Sequence, residues 1–313
     1  MDAPYFDVLA VGDACLDVIV TDLDKDINVH EIVHGNCAQV LPGGGFTTPA
    51  ALQRLGVKVT WAADFGTDEI SKYILNEISS EGIDLSYSKI VNRNLRRISV
   101  SLSKESNRSF LSYQDKSPFI PAAFFGILNA KAKIVYMPGS LFGWMFDIGA
   151  FIAKKRKMKI VVDGNGVEKY LLRQKKVKRA LQKVDIFILN AAEACHLVEE
   201  NDIQLAMKIL GKYCKLIVVK NGRKGALALE KNKIIEVPAI PVNAKDTTGA
   251  GDCFNAGFIA SWLSGFCLQE CLQRANIVAG LSTTVAGGAA KTIHIEDVQF
   301  WMDKVYLMSK GEM

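Results

Sequence analysis

Asp246-Thr247-Thr248-Gly249-Ala250-Gly251-Asp252-Cys253-Phe254-Asn255-Ala256-Gly257-Phe258-Ile259-Ala260 is a glycine-bearing turn that runs into an apolar segment. Gly249 and Gly251 reach backbone angles that residues with a Cβ avoid, and nothing projects between their backbone and a ligand. The run that follows, through Trp262 and Leu263, is apolar around most of its circumference, which predicts a buried helix. The first amides of such a helix have no partner within it. They carry partial positive charge and point outward, which makes an anion site. One acid, Asp252, stands inside that site. A carboxylate there opposes an anion unless it has a chemical task, and taking a proton from a hydroxyl during phosphoryl transfer is such a task. A loop that merely caps a core helix is the plainer alternative, but seven consecutive residues of this kind are far more specific than a bare Gly-x-Gly.

Working outward, Phe6–Val11 predicts a strand that ends at Gly12. Asp13 and Asp17 lie just past its C-terminal end, where α/β sheets bind ligands; an exposed turn is the ordinary alternative for such acids. Leu41-Pro42-Gly43-Gly44-Gly45-Phe46-Thr47-Thr48 sets three glycines before a helix that Gly56 terminates. The two glycine stretches resemble the N-terminal and C-terminal signatures of the ribokinase-like (PfkB) family of carbohydrate kinases, and the resemblance spans nearly the whole chain. It implies a ribokinase-like three-layer α/β/α domain with a mostly parallel central sheet and a small β lid. It also implies ATP and Mg²⁺, and phosphorylation of a hydroxyl on a small sugar or nucleoside. Carried over onto this sequence, Asp252 is the general base and Gly249, Ala250 and Gly251 form the anion hole. Asp17 holds substrate hydroxyls with Asp13 beside it, and Gly43, Gly44 and Gly45 act as a lid hinge that touches substrate. Family members usually have Asn a few residues after these glycines. Here Thr47 and Thr48 are the candidates, with Thr48 assigned the substrate contact.

From about Ser117 the chain alternates short apolar strands with helical segments, the pattern of a parallel sheet covered on both faces. Right-handed crossovers bring the C-terminal ends of such strands to one rim. Asp17, Asp163, Asn165, Asn190, Lys220 and Asp252 are therefore expected together. Asn190-Ala191-Ala192-Glu193 places an amide and a carboxylate one helical turn apart. Hard oxygen donors at that spacing suit hydrated Mg²⁺, and the same pattern suits a capping box. The resemblance favours Asn190 and Glu193 as residues that organise Mg²⁺ through water. It further implies that Lys220-Asn221-Gly222-Arg223-Lys224-Gly225 lies beside the nucleotide, with Lys220, Gly222 and Gly225 in contact. Asn276 would lie near the adenine. In some members the loops matching Asp246–Thr248 and 286–288 hold K⁺, which makes Asp246 and Thr248 candidates for a monovalent cation.

Two β-like stretches, 14–40 and 91–115, interrupt the alternation and are assigned to the lid, which leaves 1–13, 41–90 and 116–313 for the α/β domain. Lid faces in the family often also dimerise, so a homodimer through the lid is an expected partner. Within the family a nucleoside kinase is the rival reading, with Phe46, Phe110 and Tyr113 as the aromatic residues of its larger pocket. A ligand-sensing homologue without catalysis is the rival outside enzymes. The chain has 313 residues and a net charge of +5. Its basic runs at 154–159 and 173–179 lie on expected helices without interleaved aromatics, which favours solvated faces over nucleic acid. No apolar run approaches a membrane span, and the acidic N-terminus lacks a signal peptide's basic region. His30 and His34 lie four apart, but in a loop or strand that spacing does not make a metal site. The seven cysteines form no CxxC pair and suggest packing rather than disulfides or zinc. A cytoplasmic protein is expected.

Overall fold

The computed structural model describes residues 5–28, 30–104, 107–140, 142–285 and 293–309. In chain order the strands and helices are β1 (Tyr5–Val11), β2 (Ala14–Leu23), β3 (Gly35–Gly44), α1 (Thr47–Arg54), β4 (Val59–Ala62), β5 (Asp64–Phe65), α2 (Glu69–Ser80), β6 (Lys89–Ile90), β7 (Arg97–Lys104) and β8 (Asn107–Gln114). There follow α3 (Ala122–Asn129), β9 (Lys131–Met137), α4 (Trp144–Lys155), β10 (Lys159–Asp163), α5 (Lys175–Leu181), β11 (Ile186–Asn190), α6 (Ala191–Val198), α7 (Ile203–Leu210) and β12 (Leu216–Lys220). The chain closes with β13 (Ala226–Glu230), β14 (Lys233–Val237), α8 (Ala250–Leu263), α9 (Leu268–Ser282) and α10 (Ile295–Ser309).

Eight strands form the central sheet in the order β14-β13-β12-β11-β10-β9-β1-β4. The six from β12 to β4 are parallel, and the β13–β14 hairpin adds two antiparallel strands at one edge. The period-two alternation of each strand divides its side chains between two cores. Val8 and Ala10 of β1 pack with α1, α8 and α9, whereas Leu9 and Val11 pack with the layer on the other face. Helix α8 is buried continuously from Cys253 to Ser261, between the sheet, α1 and α9. A helix that is apolar all round has to be covered all round, which is why the glycine turn before it is fixed at the sheet rim. No helix among the described residues is long and apolar enough to cross a membrane.

A second sheet has the order β3-β2-β7-β8, with β2 and β7 parallel and the two outer pairs antiparallel. It is continuous with the glycine run, since β3 extends through Gly43 and Gly44. The expected hinge glycines Gly43 and Gly44 are thus the last residues of a strand. The reason lies in β2: Asp17 packs so closely on Gly43 that a Cβ there would stand 1.8 Å from Asp17 Oδ2. The short strand β5 follows β4 closely but leaves the central sheet and pairs with β6.

Trp61 of β4 ties the two sheets together. It is fully buried, its Nε1 donates to Gly12 O at 3.1 Å, and its ring meets Phe46 and Phe65. Trp61→Ala is expected to lower the unfolding free energy by about 3–5 kcal/mol with an unchanged denaturant slope, as measured by urea titration.

Candidate active site

The C-terminal ends of the parallel strands open into a cavity of about 740 Å³, lined by Asp13, Asp17, Thr47, Asp64, Asn165, Thr248, Gly249 and Asp252 among others. Asp252 lies in the first turn of α8, and its side chain borders this cavity rather than facing the core. Gly249 takes a left-handed conformation, φ +71°, directly before the helix. That turn leaves the Gly249, Gly251 and Asp252 amides without an acceptor among the described residues. The Ala250 amide, expected as an anion donor, instead donates to Thr247 O at 3.2 Å, because the turn closes on itself.

Beneath Asp252 a buried polar network fixes the site. Lys220, at the end of β12, donates to Asp163 Oδ2 at 2.8 Å and to Asn255 Oδ1 at 3.3 Å. It also lies against the turn, where a Cβ on Gly251 would stand 3.4 Å from its ammonium. Asn255 Nδ2 donates to Asp163 Oδ2 at 2.6 Å and to Tyr136 Oη at 3.1 Å. The opposite amide orientation would aim an NH₂ group at an ammonium, so the directions follow from the charges. Burial pushes the Tyr136 phenol well up, so it keeps its proton. With Asn255 donating to it, Tyr136 has its own hydrogen free for Thr48 Oγ1 at 3.1 Å. Thr48 in turn donates to Asp252 Oδ1 at 3.1 Å. Burial is the largest influence on the Asp252 carboxyl, followed by the Asp163 charge; together they push its pKa up to about 7 against the opposing effects of Lys220 and Thr48. Burial alone would favour neutral Lys220, but its pairing with Asp163 outweighs this and keeps it charged.

The other expected residues fall as follows. Asp17 faces the cavity from β2; Cys15 Sγ donates to it, and burial raises its carboxyl. Asp13 lines the cavity and pairs with the buried Arg97 at 2.8 Å, while its carbonyl accepts the Gly45 amide. Gly44 and Gly45 line the cavity, as does Thr47. Thr48 does not; it is 1 % exposed and spends its hydroxyl on Tyr136 and Asp252. Thr48, expected to contact substrate, therefore has its hydroxyl turned to Tyr136 and Asp252, while Thr47, the other candidate, lines the cavity. Asn190 and Glu193 form a capping box, each side chain accepting the other's backbone amide. The Glu193 carboxylate nevertheless lies against Gly164, beside Asp163. Gly222 and Gly225 flank the turn after Lys220.

Asn276 is buried, and its Nδ2 donates to Val237 O and Pro238 O, which ties α9 to the end of β14. Thr248 donates twice to Asp246 Oδ1, and residues 286–288 of the second expected cation loop lie outside the described residues. Phe46 is packed in the core against Trp61, and Phe110 and Tyr113 are exposed on β8, so none of them lines the cavity. The aromatic side chains that do are Phe124 and Phe146. Tyr136, Asn255, Arg97 and Asp64 were missed as site residues. Tyr136 and Asn255 sit inside apolar runs, Arg97 starts an unremarkable strand, and no local spacing marks any of them.

Comparisons with known proteins identify the family. The model of the pfkB family carbohydrate kinases matches residues 6–295. Ribokinase of Haemophilus influenzae is 27% identical over 270 residues, covering 82% of this chain and 86% of that protein. Cytidine kinase of Thermococcus kodakarensis is 28% identical over 250 residues, covering 74% of this chain and 84% of that protein. The structure of Arabidopsis thaliana ribokinase complexed with ribose and ATP superposes with a TM-score of 0.80 at 23% identity, covering 95% of this chain and 98% of that one. With the family model matching most of its length, and with the three-layer fold and small second sheet in place, this chain belongs to the pfkB family of carbohydrate kinases.

Proposed function

We propose that the protein is an ATP-dependent phosphotransferase acting on a hydroxyl of a small sugar or sugar derivative, with Asp252 as general base. The observation that carries this reading is the position of Asp252. It borders the cavity at the positive end of α8, next to open amides, with a carboxyl whose affinity for a proton is raised to near neutrality. A base of that pKa both accepts a proton at physiological pH and holds it well enough to help break the O–H bond.

The acceptor alcohol lies over Asp17, Thr47 and the glycine run. Asp17 accepts hydrogens from its other hydroxyls. Asp252 takes the proton of the reacting hydroxyl as that oxygen attacks the γ-phosphorus of ATP. The bond from γ-phosphorus to the bridging oxygen breaks, and ADP leaves with that electron pair. The Gly249, Gly251 and Asp252 amides and the Lys220 ammonium face the charge of the group in transfer; such donors are typically worth about 3–4 kcal/mol each. Gly222 and Gly225 belong to the nucleotide side. The Glu193 carboxylate beside Asp163, with Asn190, offers hard oxygen donors that fit Mg²⁺ held through water. When bound, the ion neutralises charge on the triphosphate. We assign Asn276 to the frame rather than to adenine, because both bonds of its Nδ2 go to backbone carbonyls of the β14 end. The four-stranded sheet carrying Asp17 is the element that closes over the acceptor and excludes water.

Asp252→Asn is expected to lower turnover by about 10²–10⁴-fold while ATP affinity, measured by titration calorimetry, changes by less than about threefold. Near-normal turnover would remove Asp252 from the chemistry. The same variant should be more stable at pH 8. A carboxyl whose folded pKa is raised to about 7 burdens the folded state increasingly as pH rises from near 4 through 7. The gain in melting temperature should therefore shrink as pH is lowered through that window, and a pH-independent gain would contradict the linkage. Thr48→Val removes a hydrogen bond that favours the ionised base. The acidic limb of the kcat/KM profile should move up by about one pH unit, since such bonds to charged groups are worth about 1.5–3 kcal/mol.

A further inference from the structure

Resting on the phosphotransfer reading, a second feature of the same cavity bears on what the alcohol carries. The cavity has two unlike ends. One is acidic: Asp13, Asp17, Asp64 and Asp252 line it, and the Arg97 guanidinium is the buried cation placed among them. Asp64 is 2 % exposed, and its Oδ1 has no donor among the described residues, although its Oδ2 accepts the Ala122 amide. Arg97 Nε likewise has no acceptor there. Four carboxyls thus line this part of the cavity against one buried guanidinium, which pairs with Asp13 alone among them. A wall of this kind takes hydrogen-bond donors and repels a phosphate.

A second part of the lining comes from α3, α4 and the end of β9. Phe124, Ile127, Met137, Met145 and Phe146 form it, and Gly149 forms part of its α4 wall. Phe146 and Ile127 are anchored in the core, so the wall is preformed. A bare monosaccharide presents hydroxyls in every direction and would leave them unpaired against such a wall, which is costly. A flat uncharged ring instead buries apolar area and stacks against aromatic and thioether side chains. The whole cavity lies within the range of about 300–1,000 Å³ that takes ligands larger than a simple sugar.

We infer that the acceptor is a polyhydroxylated ring joined to an uncharged planar ring. The hydroxyls lie on Asp17, Thr47 and Asp64, the planar ring lies between α3 and α4, and the acceptor carries no phosphate. A nucleoside and an aryl glycoside both have this chemistry. The test uses the full-length chain with MgATP and measures ADP release with free ribose and glucose, ribonucleosides, nitrophenyl glycosides and fructose 6-phosphate. At least one of the two ring-bearing classes should show kcat/KM ten or more times that of the matching free sugar, and fructose 6-phosphate should lie below both. A free sugar or the sugar phosphate equalling the ring-bearing compounds overturns the inference. If no alcohol turns over, the phosphotransfer reading fails instead, and calorimetric affinities for the same panel decide this one by the same ranking. Gly149→Leu locates the planar ring. A Cβ at 149 meets Ile127 Cδ1 at an ordinary 3.4 Å, so the helix accepts the change and the remaining side chain enters the apolar end. It should raise KM for the preferred ring-bearing compound at least fivefold while melting near the wild type. An unchanged KM in the folded variant overturns the placement.

Discussion

The site depends on one buried ion pair. Lys220 and Asp163 come from neighbouring parallel-sheet elements on either side of β11, and their contact is possible because all of these strands end on the same rim. A buried ammonium needs a carboxylate to stay charged, and a carboxylate in the same place needs the ammonium. Once Asp163 has claimed Lys220, the second carboxylate, Asp252, has only part of that charge to draw on. It is left surrounded by protein, near a like charge, with one hydroxyl donor from Thr48. The acid beside the open helix end is thereby pushed up to about 7.

The hydrogen-bond chain from Asn255 through Tyr136 and Thr48 has a single direction because Lys220 sets it at the start. It therefore does more than fill space: it delivers a donor to one oxygen of Asp252, a residue that lines the cavity. The same constraint explains why the helix that carries Asp252 and Asn255 is buried on all sides. A mobile helix would loosen both residues at once, whereas α8 is clamped between the sheet, α1 and α9.

Much of this was legible in the sequence. The alternation of short apolar strands with helices gave the parallel sheet, and Asp163, Lys220 and Asp252 do come together at its rim, whereas Asp17 lies in the second sheet and Asn190 stays in its capping box. Both glycine signatures were readable because close backbone approach leaves a compositional trace. What was not legible came from contacts between distant segments. Thr47 and Thr48 are adjacent and chemically alike, and helix phase alone sends one to the cavity and the other beneath Asp252. Tyr136 reads as one more apolar strand residue until Asn255 and Thr48 are placed against it. The amide of Ala250 looked available in a linear reading because the turn that consumes it depends on the conformation of Gly249. The aromatic wall came from Phe124 and Phe146 rather than from Phe46, Phe110 and Tyr113. Exposure on a strand edge and burial in a core are tertiary facts that composition does not carry.

The most direct test is the titration of the Asp252 carboxyl itself. In protein labelled with ¹³C at aspartate side chains, the resonance absent from Asp252→Asn should titrate with a midpoint at about 7 in the ligand-free protein. A midpoint near the ordinary carboxylate value of about 4 would contradict the account, because burial and the neighbouring Asp163 charge would then not govern the group on which the chemistry is built.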